Sequence, residues 1–164
     1  MEIRLTQESD IPAIPAIYDA ARRFMRSTGN MYQWSAVYPS LESLEQDMAR
    51  GASYVCVESG RAVATFFFAV ADDPTYKVIE GGHWLNDEPY GVIHRIASDG
   101  SVKGVLRHVL DFCFSKVANI RIDTHHDNKL MHSALLRYGF CYCGIIHLAN
   151  GHERLAYHRI KPKP

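Results

Sequence analysis

Charged and apolar residues alternate over residues 2–6, which predicts a short strand at the head of the chain. Asp10 then offers an N-cap, and Ile14, Ile17, Tyr18, Ala21 and Phe24 recur at helical spacing as far as Thr28-Gly29. Pro15 sits near the first turn of that helix. Pro39-Ser40 opens a second helix, with Leu41, Leu44 and Met48 on one face and Gly51 as its stop. Residues 54–58 and 61–71, rich in β-branched and aromatic side chains and joined by Ser59-Gly60, predict a hairpin. After an irregular loop, residues 90–97 predict a strand, 102–114 a helix, 120–124 a strand, 128–138 a helix and 141–148 a strand. Asn150-Gly151 is a strong hairpin turn, and the chain returns through 154–160.

The order is β-α-α-β-β-β-α-β-α-β-β. A helix between two strands implies a crossover, so part of the sheet is parallel, and the hairpins make it mixed. No repeat, linker or low-complexity stretch interrupts residues 1–164, so the expectation is one α/β domain.

Composition narrows the function classes. The 18 basic and 18 acidic residues cancel, which argues against a nucleic-acid footprint, since that needs a basic face, and gives no steering toward anionic membranes. The basic Lys-Pro tail is too short to change that. The apolar run at 62–71 is half a membrane span, and the first ten residues hold no signal-like run. With no export signal, the four cysteines read as reduced thiols, and a cytoplasmic location follows as the expectation. Cys141 and Cys143 share a strand face but lack two further convergent ligands, so no metal is expected.

Two short motifs carry more. The first is HRIASDGSVKGVLRHVLDF, in which Gly104 lies where a strand feeds a helix; the second runs from Asn128 to the helix stop at Gly139-Phe140. Together with the element order, they resemble the GNAT superfamily of acyl-CoA-dependent N-acetyltransferases over nearly the whole chain. That resemblance implies a twisted mixed sheet of about seven strands flanked by about four helices, splayed between the strands at 93–97 and 120–124. It implies acetyl-CoA as co-substrate, held by Ile96, Ala97, Ser98, Lys103, Gly104, Val105, Leu106 and Arg107, with Asn128 as a helix cap that also touches the cofactor. The physical reason lies in the first motif. Exposed N–H groups at a helix start form an anion site, and a glycine lets backbone approach a pyrophosphate.

The chain also departs from the family pattern. Ser101 stands where Arg or Gln is usual, Leu106 where Gly or Ala is usual, and Leu135 at the position of the common Tyr general acid. Tyr138 sits directly before Gly139 instead. These departures keep a second reading open, an acyl-CoA-binding or regulatory module without turnover.

Acetyl transfer to an amine needs a proton acceptor, and an imidazole suits the task. His94, on the strand before the Gly104 turn, is the first candidate; alternation places it with Val92 and Ile96, and places Arg95 opposite, anchoring a carboxylate. His125 is second, together with His126; for each the alternative is a structural or solvated histidine. Tyr32, Trp34, Glu80, His83 and Trp84 are candidates for the acceptor pocket, with core packing as the alternative for each aromatic. The acceptor implied is an amine on a small molecule or peptide. Phe66, Phe67 and Phe68 run consecutively, so at least one ring faces away from the others; a homodimer would cover that face if no helix does.

Overall fold

The alternating stretches pair into one sheet. A computed structural model describes residues 1–162, so the last two residues of the Lys-Pro tail lie outside the described residues. The strands are β1 (Glu2–Leu5), β2 (Ser53–Glu58), β3 (Arg61–Val70), β4 (Gly91–Ser98), β5 (Asn119–Thr124), β6 (Cys141–His147) and β7 (Glu153–Ile160). The helices are α1 (Ile14–Ser27), α2 (Leu41–Ala49), α3 (Val105–Phe114) and α4 (Lys129–Arg137). Among the described residues the sheet order is β1-β2-β3-β4-β5-β7-β6, antiparallel throughout except for β4 and β5.

The parallel pair is short. β4 and β5 match only at Gly91–Ile120, Val92–Arg121 and Ile93–Ile122, although β4 runs on to Ser98 and β5 to Thr124. The two strands therefore splay beyond Ile93, as the family resemblance implies. Past that point each strand keeps only its other neighbour, β3 for β4 and β7 for β5.

The two sheet faces have different cover. α3 buries Val105, Val109, Leu110, Cys113 and Phe114 against Ile93, Ile120, Ile122 and the rings of Phe66 and Phe68, and Leu135 of α4 joins this cluster. Burying each large apolar side chain contributes roughly 1.5–3 kcal/mol. On the other face α1 packs Ile14, Ile17, Tyr18 and Ala21 with Trp34, Leu44 and Ala97. A third cluster joins Tyr76, Tyr90, Val92, Ile146 and Ala156 beneath the loop that follows β3.

Four expectations change. Asp10 does not cap α1. It closes a preceding 3-10 turn (Glu8–Ala13), accepting from the Gln7 backbone N–H at 2.7 Å and from both terminal nitrogens of Arg4. α3 begins at Val105 rather than at 102, because Gly104 takes a left-handed conformation with φ of 76°. The alternation in β4 breaks at a bulge: Phe67 faces His94 and Thr65 faces Ala97, leaving one extra residue on β4, and Arg95 carries φ of 52°. Ile96 consequently packs toward α3, while His94 and Arg95 both turn to Phe67 on the opposite face. Finally, all three phenylalanines are buried. Phe67 lies under the guanidinium groups of Arg50 and Arg95 rather than under a helix.

Candidate active site

The splay opens a cleft of about 230 Å3 on the α1 side of the sheet. β4 contributes Ile93, His94, Arg95 and Ile96, and β5 contributes Ile122, Asp123 and Thr124. Trp34, Asp73, Asn128 and Arg154 close its sides.

His94 stands at its centre. Asp73 caps the short 3-10 turn Pro74–Tyr76: its Oδ1 accepts from the Thr75 backbone N–H at 2.9 Å and from the Thr75 hydroxyl at 2.7 Å. Its Oδ2 lies 2.7 Å from His94 Nε2. Burial alone would raise the Asp73 pKa, but the bonds from His94 and Thr75 outweigh it and bring it down to about 2. At neutral pH Asp73 is therefore an acceptor only, so His94 Nε2 must carry the hydrogen. The neutral ring then has its lone pair on Nδ1, 3.6 Å from Asp123 Oδ2. That distance is too long for a hydrogen bond and leaves the lone pair unoccupied.

Asp123 is held from below. The hydroxyl of buried Tyr76 donates to its Oδ2 at 2.6 Å, and burial followed by the nearness of Asp123 pushes that phenol well above its ordinary range. Trp84 supports Tyr76 in turn, its indole N–H donating to the Tyr76 carbonyl at 2.9 Å. Arg95 holds a carboxylate as expected: its Nη2 donates to Asp47 at 2.7 Å, which ties β4 to α2.

The other sequence candidates distribute as follows. Trp34 is buried and lines the cleft, whereas Tyr32 is 78% exposed and lies outside it. Glu80 bridges Ile145 through its backbone, His83 is exposed, and both lie outside the cleft lining. Trp84 acts one layer below. His125 turns into the 124–128 bend, where its Nδ1 accepts from the Asp127 backbone N–H at 3.0 Å and its ring stacks on His126 at 4.3 Å. Burial, then the charges of Arg154 and His126, lower its pKa. His125, His126 and Asp127 lie close enough to share a metal ion, but this bend already uses the inner nitrogen of His125.

On the α3 side, Gly104 caps the helix, and a side chain placed on it would meet no atom within 4 Å. The backbone at the head of α3 is thus open to an approaching anion. Val105 is core, Leu106 packs half-buried against the core, and Lys103 and Arg107 are exposed. Ser98 accepts from the Gly100 backbone N–H at 3.1 Å, and Ala97 is buried under α1. Ser101 is bound to Asp99 and Arg61. Asn128 caps α4 through Met131 N–H at 3.1 Å and donates to Gln33 Oε1 at 3.0 Å. Leu135 is fully buried and Tyr138 packs on the core, so neither side chain lines the cleft.

Comparison with known proteins agrees with this architecture. No family model matches the chain, and no curated protein does. Among solved structures, a GNAT-family acetyltransferase from Streptococcus agalactiae 2603 superposes with a TM-score of 0.88 at 30% identity, covering 99% of this chain and 96% of that one. A GNAT-family acetyltransferase from Listeria monocytogenes 4b F2365 gives 0.71 at 19% identity, with 97% and 94% covered. A GNAT-like decarboxylase in complex with isobutyryl-CoA gives 0.67 at 14% identity, with 98% and 99% covered. The chain belongs to the GNAT family of acetyltransferases.

Proposed function

We propose that the protein transfers an acetyl group from acetyl-CoA to a primary amine of a small molecule or peptide. The observation that carries this reading is the arrangement on either side of the β4–β5 splay. An open helix start at Gly104 lies on one side, and an oriented imidazole beside two carboxylates lies on the other.

The residues present suit coenzyme A. The free N–H groups of the first α3 turn, with Gly104 leaving their approach open, would hold the pyrophosphate, and Lys103 adds positive charge. Asn128 and Ile96 flank the path to the cleft. Acetyl-CoA supplies a thioester, and the protein's own groups do the rest. An incoming amine is drawn as its ammonium to Asp123, whose Oδ1 takes none of the contacts described above. His94 Nδ1 then accepts a proton from the amine, while Asp73 fixes the ring's tautomer and stabilises its charge. The amine nitrogen bonds to the acyl carbon as the carbon–sulfur bond breaks, the sulfur keeps the bonding pair, and the proton left on the nitrogen passes to that thiolate, which departs as the free thiol. Beyond Ile93 the β4 backbone has no β5 partner, so its N–H groups are placed to polarise the carbonyl. The four free thiols suit a reducing cytoplasm.

A binding module without turnover is the second reading, favoured by Leu135 being core rather than a cleft residue. Calorimetry with acetyl-CoA followed by a thiol-release assay over a panel of amines separates the two. Heat of binding without release of free thiol from any amine would select the binding module, and no heat would remove both readings.

A further inference from the structure

The cleft contains a positive charge that the proposed transfer does not use. Arg154, at the head of β7, is 7% exposed and lines the cleft beside Thr124 and Asn128. Its hydrogen bonds run to two backbone carbonyls, Glu153 at 2.9 Å and Gln33 at 3.3 Å. Among the described residues no carboxylate forms an ion pair with it. Arg95, the other cleft arginine, is by contrast neutralised by Asp47 at 2.7 Å. Burial draws the Arg154 guanidinium below its ordinary pKa, with Asp123 acting in the opposite sense. A desolvated cation without a counterion is costly to keep, and its remaining forked N–H donors match a carboxylate in bidentate geometry.

Its position relative to the amine site is set by strand register. Asp123 on β5 faces Ala156 on β7, so Arg154 lies two residues along on the same face. Such diagonal neighbours have Cα atoms roughly 7–8 Å apart. Across that interval the cleft changes from carboxylates (Asp73 and Asp123) to a single unpaired guanidinium. A polyamine would gain from the first half and be repelled by the second. A small zwitterion satisfies both.

We propose that the acceptor is a free amino acid or a close amino-carboxylate, its carboxylate on Arg154 and its amine at the His94–Asp123 edge. This rests on the acetyl-transfer reading given above and specifies the substrate class for it. Gln33 acts as the positioning residue: its carbonyl accepts from Arg154, and its side-chain oxygen accepts from Asn30 at 2.8 Å and Asn128 at 3.0 Å. These bonds hold the loop carrying Trp34 over the carboxylate end.

The test uses the full-length protein, acetyl-CoA and a thiol-release assay on matched pairs. Each amino acid is compared with its decarboxylated amine, such as alanine with ethylamine and lysine with cadaverine, and a peptide amine and an aminoglycoside complete the panel. For the preferred amino acid, kcat/KM should exceed that of its decarboxylated partner by at least about a hundredfold. In Arg154→Gln that ratio should fall toward one, a change that a merely structural arginine would not produce. If the variant does not fold, the wild-type ratio decides alone. Turnover of amines or peptides without preference for a carboxylate overturns the inference and leaves acetyl transfer standing. Acetyl-CoA binding with no turnover across the whole panel removes both.

Discussion

His94 donates from Nε2 to Oδ2 of Asp73 at 2.7 Å, and the two residues come from different elements, mid-β4 and the cap of a 3-10 turn. The bond joins the base to its orienting carboxylate, so removing either should damage the same step. His94→Gln keeps size and polarity but removes the basic nitrogen, and should lower kcat by about 10²–10⁴-fold. Asp73→Asn should cause a comparable loss by freeing the ring's tautomer and orientation. Because they act as a unit, the double variant should be little worse than the worse single one. Acetyl-CoA affinity, read by calorimetry, should hardly change in any of the three. Wild-type turnover in His94→Gln would clear the histidine of this role.

Gly104 reports on the other substrate. Its φ of 76° is left-handed, and the space where a side chain would go is empty. Gly104→Ala should therefore cost roughly 1–2 kcal/mol of stability from backbone strain alone. A Cβ there would also occupy the open approach to the first α3 turn, so acetyl-CoA affinity should fall more than kcat. Unchanged affinity in Gly104→Ala would mean that the pyrophosphate binds elsewhere.

Much of this was legible from sequence. Element order, the Asn150-Gly151 hairpin and the Asn128 cap all rest on local chemistry within a few residues, which pattern reading captures, although the helical reading ran through Gly104 as far as 102. The bulge at Arg95 was not legible, because an extra residue in a strand leaves no mark on composition, and arginine is an unusual choice for positive φ. Alternation therefore assigned Ile96 to the wrong face. The partners of His94 were missed for another reason: Asp73 lies 21 residues earlier, and Asp123 reaches it only through strand pairing. A signal for Asp73 was present. Asp-Pro-Thr is a helix-cap sequence, and it marked a short ordered turn inside what read as an irregular loop. The bond between Arg154 and Gln33 spans 121 residues, and nothing local announces it.

The Gly81-Gly82 pair offers a stability test away from the chemistry. A Cβ on Gly82 would collide with the backbone carbonyl of Cys143 on β6, which has no side-chain freedom with which to yield. The neighbouring Glu80 and Ile145 exchange backbone bonds at 2.9 and 2.8 Å, so this loop is clamped to the sheet. Gly82→Ala should destabilise the fold by more than about 2 kcal/mol in urea unfolding. Gly81→Ala meets no atom and should cost only the strain of its φ of 70°. Equal stability in the two variants would show that the loop shifts freely.

Acid stability should depend on His158, which is fully buried. Its Nδ1 accepts from the Leu85 backbone N–H at 3.1 Å, so the neutral ring carries its hydrogen on Nε2 and donates to Asn119 Oδ1 at 2.9 Å. Protonation would put a second donor against the Leu85 N–H in a fully buried site. Burial, aided by the charge of Arg121, accordingly lowers its pKa from 6.5 to about 4. The sign follows from linkage. Between these values the unfolded chain binds a proton that the folded one refuses, so stability rises with pH across that window. The contribution is complete above about pH 6.5 and is lost as pH falls through about 4. Between pH 7 and 4.5 it should amount to about 2–3 kcal/mol. His158→Gln keeps a donor for Asn119 and cannot titrate. It should be less stable than wild type at pH 7, and its deficit should shrink by about that amount at pH 4.5. Urea unfolding of both proteins at the two pH values reads this directly, and a deficit that stays constant would show that His158 does not control the acid limb.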